Sequence, residues 1–178
     1  MSRQLIRLGM AAALVAAVAV FPGPAPLAAT AMQDDAAVAK QLLGMWRLVG
    51  WTQRAADGTV RNGQTDVGYL VYSDVNRMCA VMMDSTRPKW TPGAPATVPD
   101  AVARFAGFIS YCARVEVNAK EGYVLHHVDV ERSPNIVGTI RKRWFTFEGP
   151  NRLVLKIDAA ELGATQQESR LVWERVQK

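Results

Sequence analysis

Gly44-Met45-Trp46-Arg47-Leu48-Val49-Gly50-Trp51 is the stretch of sequence that decides the fold. A glycine, one residue and a tryptophan open a strand-like run that follows a short helical pattern, and seven more strand-like runs come after it. When eight antiparallel strands close into a barrel, the first strand pairs with the last, which is here residues 170–176. This pairing predicts that Trp46 lies near Arg175. An indole stacked on a guanidinium is a stable floor for a barrel, because ring contact and cation–π attraction add together.

The remaining runs predict a meander of short strands joined mainly by tight turns. Residues 59–66 are mostly polar, and we expect an irregular loop at the rim of the barrel. The expected fold class is therefore all-β, an eight-stranded antiparallel up-and-down barrel. Its predicted strands are residues 46–53, 67–72, 77–83, 108–117, 123–130, 138–147, 152–158 and 166–176.

Two helices are expected beside these strands. Residues 32–43 predict a short helix under the closed end, capped by Asp34 or Asp35 and stopped by Gly44. A proline-rich excursion, residues 84–97, separates the third strand from the fourth, and a helix follows it with Pro99 in the first turn. A long insertion of this kind often serves as a lid or a binding loop.

Residues 1–31 have the pattern of a secretory signal peptide. Arg3 and Arg7 form a positive segment, an apolar run reaches Phe21, and residues 29–31 fit a small-x-small cleavage site. The apolar run is short for a transmembrane helix, which needs about 20 residues. We therefore expect a periplasmic or secreted mature domain, residues 32–178, with no stable membrane insertion after cleavage. An uncleaved N-terminal anchor is the alternative.

Charge excludes one class of partner. Without Arg3 and Arg7 the chain keeps 19 basic residues against 16 acidic ones, a net charge of +3. The basic residues are scattered among acidic ones apart from Arg141-Lys142-Arg143. A nucleic-acid partner needs a coherent basic face, so none is expected. The sequence does not predict an oligomeric state.

Cys79 and Cys112 are the two cysteines of the chain. They fall on strands predicted to be neighbours, at similar heights in a simple register. An even count in an oxidising compartment favours a disulfide, which in the chain-entropy model could stabilise by about 3–4 kcal/mol. The alternative is two buried thiols that act as small hydrophobic side chains.

Several runs of the sequence resemble those of a known family. The Gly44-Met45-Trp46 tripeptide is similar to the glycine-x-tryptophan signature of lipocalins, and the set of similar runs matches the bacterial and fungal lipocalin-like domain family more closely. The resemblance covers about residues 41–177 and implies a lipocalin-type barrel with an internal cavity, but little about chemistry. The cysteine pair is a departure from the family. The resemblance rests on residues 43–49, 67–72, 126–128, 135–138 and 171–176.

Strand alternation predicts which side chains line the barrel. His126 shares a face with apolar residues only, which indicates that this face points inward. The sixth strand mixes charged and aromatic residues on both faces, and we assign Arg143 to the inward one. The expected inward sets are Tyr111, Ala113, Val115 and Val117; Val124, His126, Val128 and Val130; Arg141, Arg143, Phe145 and Phe147; and Leu153, Leu155 and Ile157.

Tyr111, His126, Arg143 and Phe145 are the predicted ligand-binding residues. A few polar groups on an apolar wall are typical of a small-molecule site, and an arginine favours a carboxylate or another anionic head group. The alternative is that His126 and Arg143 satisfy each other, or backbone carbonyls, inside a packed barrel.

No catalytic residue, metal site or cofactor is predicted. His126 and His127 are adjacent on a strand and point to opposite faces, so they cannot share an ion. The sequence has no Gly-x-Ser-x-Gly elbow, phosphate-binding glycine loop or dinucleotide fingerprint. The expected function is binding of a small, largely apolar ligand. The alternatives are an isomerase or cyclase that uses His126 as a base in the same cavity, and a structural barrel filled by its own side chains.

Overall fold

A single antiparallel sheet closes on itself where its first strand pairs with its last. The computed structural model describes residues 34–89, 93, 95, 97–162 and 166–177. The predicted all-β class and the closed eight-stranded antiparallel barrel are confirmed. The strands are β1 Gly44–Ala55, β2 Val60–Asn62, β3 Val67–Tyr72, β4 Arg77–Met83, β5 Phe108–Asn118, β6 Tyr123–Glu131, β7 Ile140–Phe147, β8 Arg152–Asp158 and β9 Gln166–Arg175.

The short strand β2 is a ninth strand outside the closed ring. It pairs with β1 alone, through Thr52–Asn62, Gln53–Arg61 and Arg54–Val60. The expectation of an irregular loop over residues 59–66 was therefore wrong in part. A run of three residues is too short to show an alternating apolar pattern, and here it is backbone pairing with β1 that makes it a strand.

Among the described residues, three short α-helices accompany the barrel, α1 Asp35–Leu42, α2 Val98–Ala106 and α3 Ala159–Leu162. The bounds of the first two differ from those predicted, and residues 32 and 33 of the first predicted helix lie outside the described residues. The first helix starts at Asp35, because the Asp34 side chain caps it by accepting from the backbone N–H of Ala37. The second starts at Val98, with Thr97 and Asp100 forming a capping box. The third lies in a segment read from the sequence as a loop.

A bulge in β6 changes one part of the predicted lining. Ala113 of β5 pairs with Val128, but the preceding Cys112 pairs with Val130, so Asp129 is an extra residue in the ladder. Beyond a bulge the alternation of side chains is reversed. Val130, expected to point inward, is consequently 63% exposed, whereas Val128 is buried.

The closed end of the barrel explains the glycine of the opening stretch. Gly44 has a φ of +109°, a conformation that disfavours other residues, and a Cβ atom there would lie 3.3 Å from a guanidinium nitrogen of Arg175. Trp46 is fully buried, and its Nε1 atom donates a hydrogen bond to the Leu42 carbonyl at 2.8 Å. Val38 and Leu42 of α1 pack into the same core. The helix and the first strand together close this end.

Candidate functional site

The other end of the barrel opens into a cavity of about 350 Å³. This volume is at the lower end of the range for small-molecule sites, about 300–1,000 Å³. The wall is mainly apolar, with Leu70, Leu155 and Leu171 among its residues, and α3 contributes Leu162. The polar side chains of the wall include Tyr111, Thr139, Arg141, Arg143 and Glu161.

Two tryptophans belong to this wall. The Trp51 Nε1 atom donates to the Ser169 hydroxyl at 2.7 Å, and Gly63, just after β2, lies so close that a Cβ atom there would be 2.0 Å from the Trp51 ring. Trp173 is buried, and its Nε1 atom has no hydrogen-bond acceptor among the described residues. The short strand β2 therefore helps to shape the cavity, because Gly63, which follows it, packs against the Trp51 ring in the cavity wall.

A buried histidine and two tyrosines form a hydrogen-bonded cluster beneath the cavity. The His126 Nε2 atom lies 3.0 Å from the Tyr72 hydroxyl, and its Nδ1 atom lies 3.0 Å from the Tyr111 hydroxyl. Each of the three side chains comes from a different strand, β3, β5 or β6, and each is at least nine-tenths buried. Both ring nitrogens of His126 are thus occupied by protein partners.

Two groups of the cluster, His126 and Tyr72, have strongly shifted pKa values. Burial lowers the pKa of His126 well below 6.5, and electrostatic interactions with Arg143, Arg141 and His127 lower it further. Burial raises the pKa of Tyr72 well above 10, with the neighbouring Tyr111 acting in the same direction and Arg143 against it. At neutral pH the imidazole and the Tyr72 phenol are therefore uncharged.

The neutral state determines the direction of the hydrogen bonds. A neutral imidazole has one N–H donor and one bare acceptor nitrogen. One tyrosine therefore donates its O–H to the ring, and the other accepts from it and keeps its own hydroxyl hydrogen for a different acceptor. Tyr111 borders the cavity, whereas Tyr72 borders a smaller pocket of about 170 Å³ beside α1. In the tautomer with the proton on Nδ1, Tyr111 has a hydrogen to donate to a ligand.

Arg143 lines the cavity with its charge already compensated. Its Nη1 atom lies 2.6 Å from Glu161 Oε2 and also donates to the Lys142 carbonyl. The other oxygen of Glu161 accepts from the backbone N–H of Lys142 at 2.7 Å. The arginine side chain is 8% exposed and that of Glu161 is 29% exposed. This ion pair fastens α3 to β7 at the cavity wall.

Arg141 also lines the cavity, without such a partner. Its guanidinium carbon lies 4.8 Å from the centroid of the Tyr111 ring. No ion pair or side-chain hydrogen bond of Arg141 occurs among the described residues. Its guanidinium N–H groups, which have no acceptor among the described residues, are therefore available to a ligand.

The structure separates the four predicted ligand-binding residues into two groups. Tyr111 and Arg143 lie in the cavity wall. His126 lies beneath the wall, behind Tyr111, and Phe145 packs against Phe147 at a centroid distance of 5.7 Å as part of the core. His126 and Arg143 do not bond to each other, because across the β6–β7 ladder Arg143 pairs with Val124 and His126 pairs with Arg141.

The two predicted structural pairs are in contact. Arg175 lies over the Trp46 ring, with its guanidinium carbon 4.0 Å from the centroid, and donates to the carbonyls of Leu43, Gln41 and Pro150. Cys79 and Cys112 are directly opposite each other on β4 and β5 and form a disulfide. Their neighbours Ala80, Tyr111 and Ala113 are buried, so the bridge lies on the outer side of the sheet.

Sequence reasoning missed the site roles of Glu161, Tyr72 and Arg141. Glu161 sits in a segment without strand or helix periodicity, so nothing marked it as the partner of Arg143. Tyr72 and Arg141 were detectable in principle, because Tyr72 ends an apolar strand and Arg141 shares the inward face of Arg143. Their importance depends on contacts across strands that the sequence does not specify.

An apolar cavity inside a closed antiparallel barrel, open at one end, defines the class of lipocalin-like barrels. The family model of the lipocalin-like domain matches residues 43–176, and the chain belongs to this family. The search of curated proteins found no match. Among solved structures, a redesigned β-barrel matches with 12% identity and a TM-score of 0.41, over 78% of this chain and 95% of the other.

Two features are absent from the part of the chain that the structure describes. None of their helices combines the length and the apolar character required to cross a membrane. Within the same residues, no three His, Cys, Asp or Glu side chains are grouped as they would be around a metal ion.

Proposed function

We propose that this protein binds a small, largely apolar molecule inside its barrel. The observation that supports the proposal is the cavity itself, about 350 Å³ in volume and lined mainly by aliphatic and aromatic side chains. Affinity would come from the burial of ligand surface, at about 25 cal/mol per Å² before the costs of association. A structural barrel filled by its own side chains is disfavoured by this volume.

The alternative of an isomerase or cyclase loses support from the position of His126. A general base must reach the proton that it removes. His126 is fully buried, is absent from the cavity wall, and has both nitrogens bonded to tyrosines. Its lowered pKa also makes it a weak base. The arrangement therefore favours binding over conversion.

A fluorescence titration with phenylnaphthylamine, a neutral apolar probe, tests the binding proposal. The decisive variant is Ala80→Phe, because Ala80 is buried in the cavity wall and a phenyl group there would occupy the ligand volume. Val81→Phe is the matched control, since Val81 is the next residue on the same strand and is 45% exposed on the outer face. We expect the wild type and Val81→Phe to bind the probe and Ala80→Phe to bind it at least tenfold more weakly.

Failure of the probe to enter the folded wild-type domain would overturn the binding proposal in favour of a structural barrel. Equal binding by Ala80→Phe and Val81→Phe would place the probe outside the cavity, with the same consequence. Circular dichroism of both variants checks that the barrel is intact.

We also propose that the domain is exported. The supporting pattern, residues 1–31, lies outside the described residues, and the proposal rests on its sequence alone. Expression of the full chain in a bacterium, followed by fractionation and intact-mass measurement, tests it. We expect a product that lacks residues 1–31 in the periplasm or the medium. A full-length product in the cytoplasm would contradict export, and one retained in the membrane fraction would indicate an anchor.

A further inference from the structure

The charge balance of the cavity wall points to a property of the ligand. Two arginines, Arg141 and Arg143, line the cavity. The charge of Arg143 is compensated by Glu161 at 2.6 Å. Arg141 has no carboxylate partner among the described residues, and His126, opposite it on β6, is neutral. Among the described residues, the wall of the cavity therefore carries one positive charge without a carboxylate partner.

A positive charge in a partly enclosed apolar wall is a costly arrangement unless an anion binds there. A group removed from water loses hydration, and that loss is recovered only through a partner. Arg141 is half-buried, and its described contact is with the face of the Tyr111 ring. That contact uses none of the N–H donors that the described residues leave without an acceptor. The adjacent Tyr111 hydroxyl supplies a second donor in the tautomer with the His126 proton on Nδ1.

We propose that Arg141 binds the single anionic head group of an amphiphilic ligand, with Tyr111 as the second donor and the apolar body of the ligand against Leu70, Leu155 and Leu171. The inference rests on the proposed function and deepens it by assigning the ligand class, a monoanionic amphiphile with a carboxylate, sulfate-ester or phosphodiester head. One head charge matches the one uncompensated cation. Arg143, which the sequence predicts as a ligand-binding residue, has its charge paired with Glu161.

Calorimetric titration with decanoate and with decanol tests the proposal, because the two probes share an apolar body and differ in head charge. We expect wild type to bind decanoate about tenfold more tightly than decanol, the size of effect that one partly solvated charge-assisted hydrogen bond gives. In Arg141→Gln this preference should fall to about twofold or less, with the affinity for decanol unchanged. Arg141→Lys should keep part of the preference, since the charge remains and the planar fork is lost.

Lys142→Gln is the matched control. It removes the same charge from the next residue of β7, whose ammonium lies over the outer rings of Tyr123 and Trp144, 4.0 and 3.9 Å from their centroids. We expect this variant to keep the wild-type preference for decanoate.

The other outcomes show whether the anionic-head inference fails alone or together with the cavity proposal. Equal affinity of wild type for decanoate and decanol would overturn the anionic-head inference and leave the cavity proposal standing. A preference that survives Arg141→Gln, or one that disappears equally in Lys142→Gln, would also overturn the role of Arg141. If neither probe binds and phenylnaphthylamine is excluded as well, both proposals fail.

Discussion

Two arginines stacked on aromatic rings, one at each end of the barrel, behave very differently. At the closed end Arg175 lies 4.0 Å from the Trp46 ring and donates to three backbone carbonyls. At the open end Arg141 lies 4.8 Å from the Tyr111 ring, and no hydrogen bond of its side chain to another described residue accompanies the stacking. Both residues are arginines, but one guanidinium donates to three backbone carbonyls and the other to no acceptor among the described residues.

The difference teaches how to distinguish a structural charge from a binding one. A guanidinium that donates to several backbone carbonyls ties chain segments together, here the end of α1, the residue before β1 and the turn before β8. A guanidinium in a cavity wall without a described acceptor has donors that a ligand can take over from water. Arg143 belongs with the structural group, because it joins α3 to β7 through Glu161. Its position in the cavity wall alone does not make it a ligand-binding residue.

The largest effect that tests this comparison is on stability. We expect Arg175→Gln to lower the free energy of unfolding by about 2–4 kcal/mol, because it removes three charge-assisted hydrogen bonds and a cation–π contact. Arg141→Gln should cost less than about 1 kcal/mol, since only the stacking is lost. Urea unfolding of both variants measures the difference. Equal losses would show that the two arginines play the same role and would break the comparison.

The sequence was sufficient to predict the closed end. Gly44, Trp46 and Arg175 sit at fixed distances from the ends of regular strands, so closing the barrel is enough to bring them together. The expected inward positions of Tyr111, Ala113 and Leu155 also follow from strict alternation, and all three side chains are buried. The direction of a side chain can be predicted wherever the alternation along a strand continues without a bulge.

The open end could not be predicted in the same way. The bulge at Asp129 has no sequence signal, so Val130 was placed on the wrong face. The four residues of α3 are too few for a helical period, and Glu161 on that helix decides the role of Arg143. The cysteine pair was left as two alternatives, because register between neighbouring strands decides whether two sulfurs meet. Irregular segments and cross-strand contacts thus control the chemistry of the cavity.

A smaller effect on stability concerns His126, which lies between the two ends of the barrel. Both of its ring nitrogens are hydrogen-bonded, one to Tyr72 and the other to Tyr111. Because its pKa is lowered in the folded state, the unfolded chain takes up the proton first as the pH falls below about 6.5. Above pH 6.5 protonation of His126 therefore does not reduce the free energy of unfolding. Below it, the free energy of unfolding decreases with acidification by up to about 1.4 kcal/mol per pH unit, until the pH reaches the folded-state pKa. Chemical unfolding of the wild type between pH 7 and pH 5 measures it.

Two variants isolate the histidine from the carboxylates that titrate at lower pH. His126→Gln should lose the part of the slope due to His126, whatever its effect on stability at pH 7. His127→Gln is the matched control, because His127 is the other histidine of the chain and lies on the outer face beside Glu116 at 3.1 Å. If the unfolding free energy of wild type and of His126→Gln had the same slope against pH, the His126 ring would take up a proton as easily in the folded chain as in the unfolded one. His126 would then again be a candidate base for the isomerase or cyclase alternative.

The smallest expected change in stability, and the sharpest test of the open end, comes from Glu161→Gln. An amide has nearly the shape of the carboxylate, and its oxygen still accepts a hydrogen bond, so the loss in stability should be about 1 kcal/mol. The charge of Arg143 is then uncompensated, and the wall carries two positive charges instead of one. We expect a several-fold gain in affinity for decanoate and none for decanol.

Glu168→Gln, which breaks the exposed 3.1 Å pair with Lys156, should change neither affinity. No gain with Glu161→Gln would mean that Arg143 does not reach the bound head group even when Glu161 no longer neutralises its charge. Its role would then be structural, like that of Arg175 at the closed end.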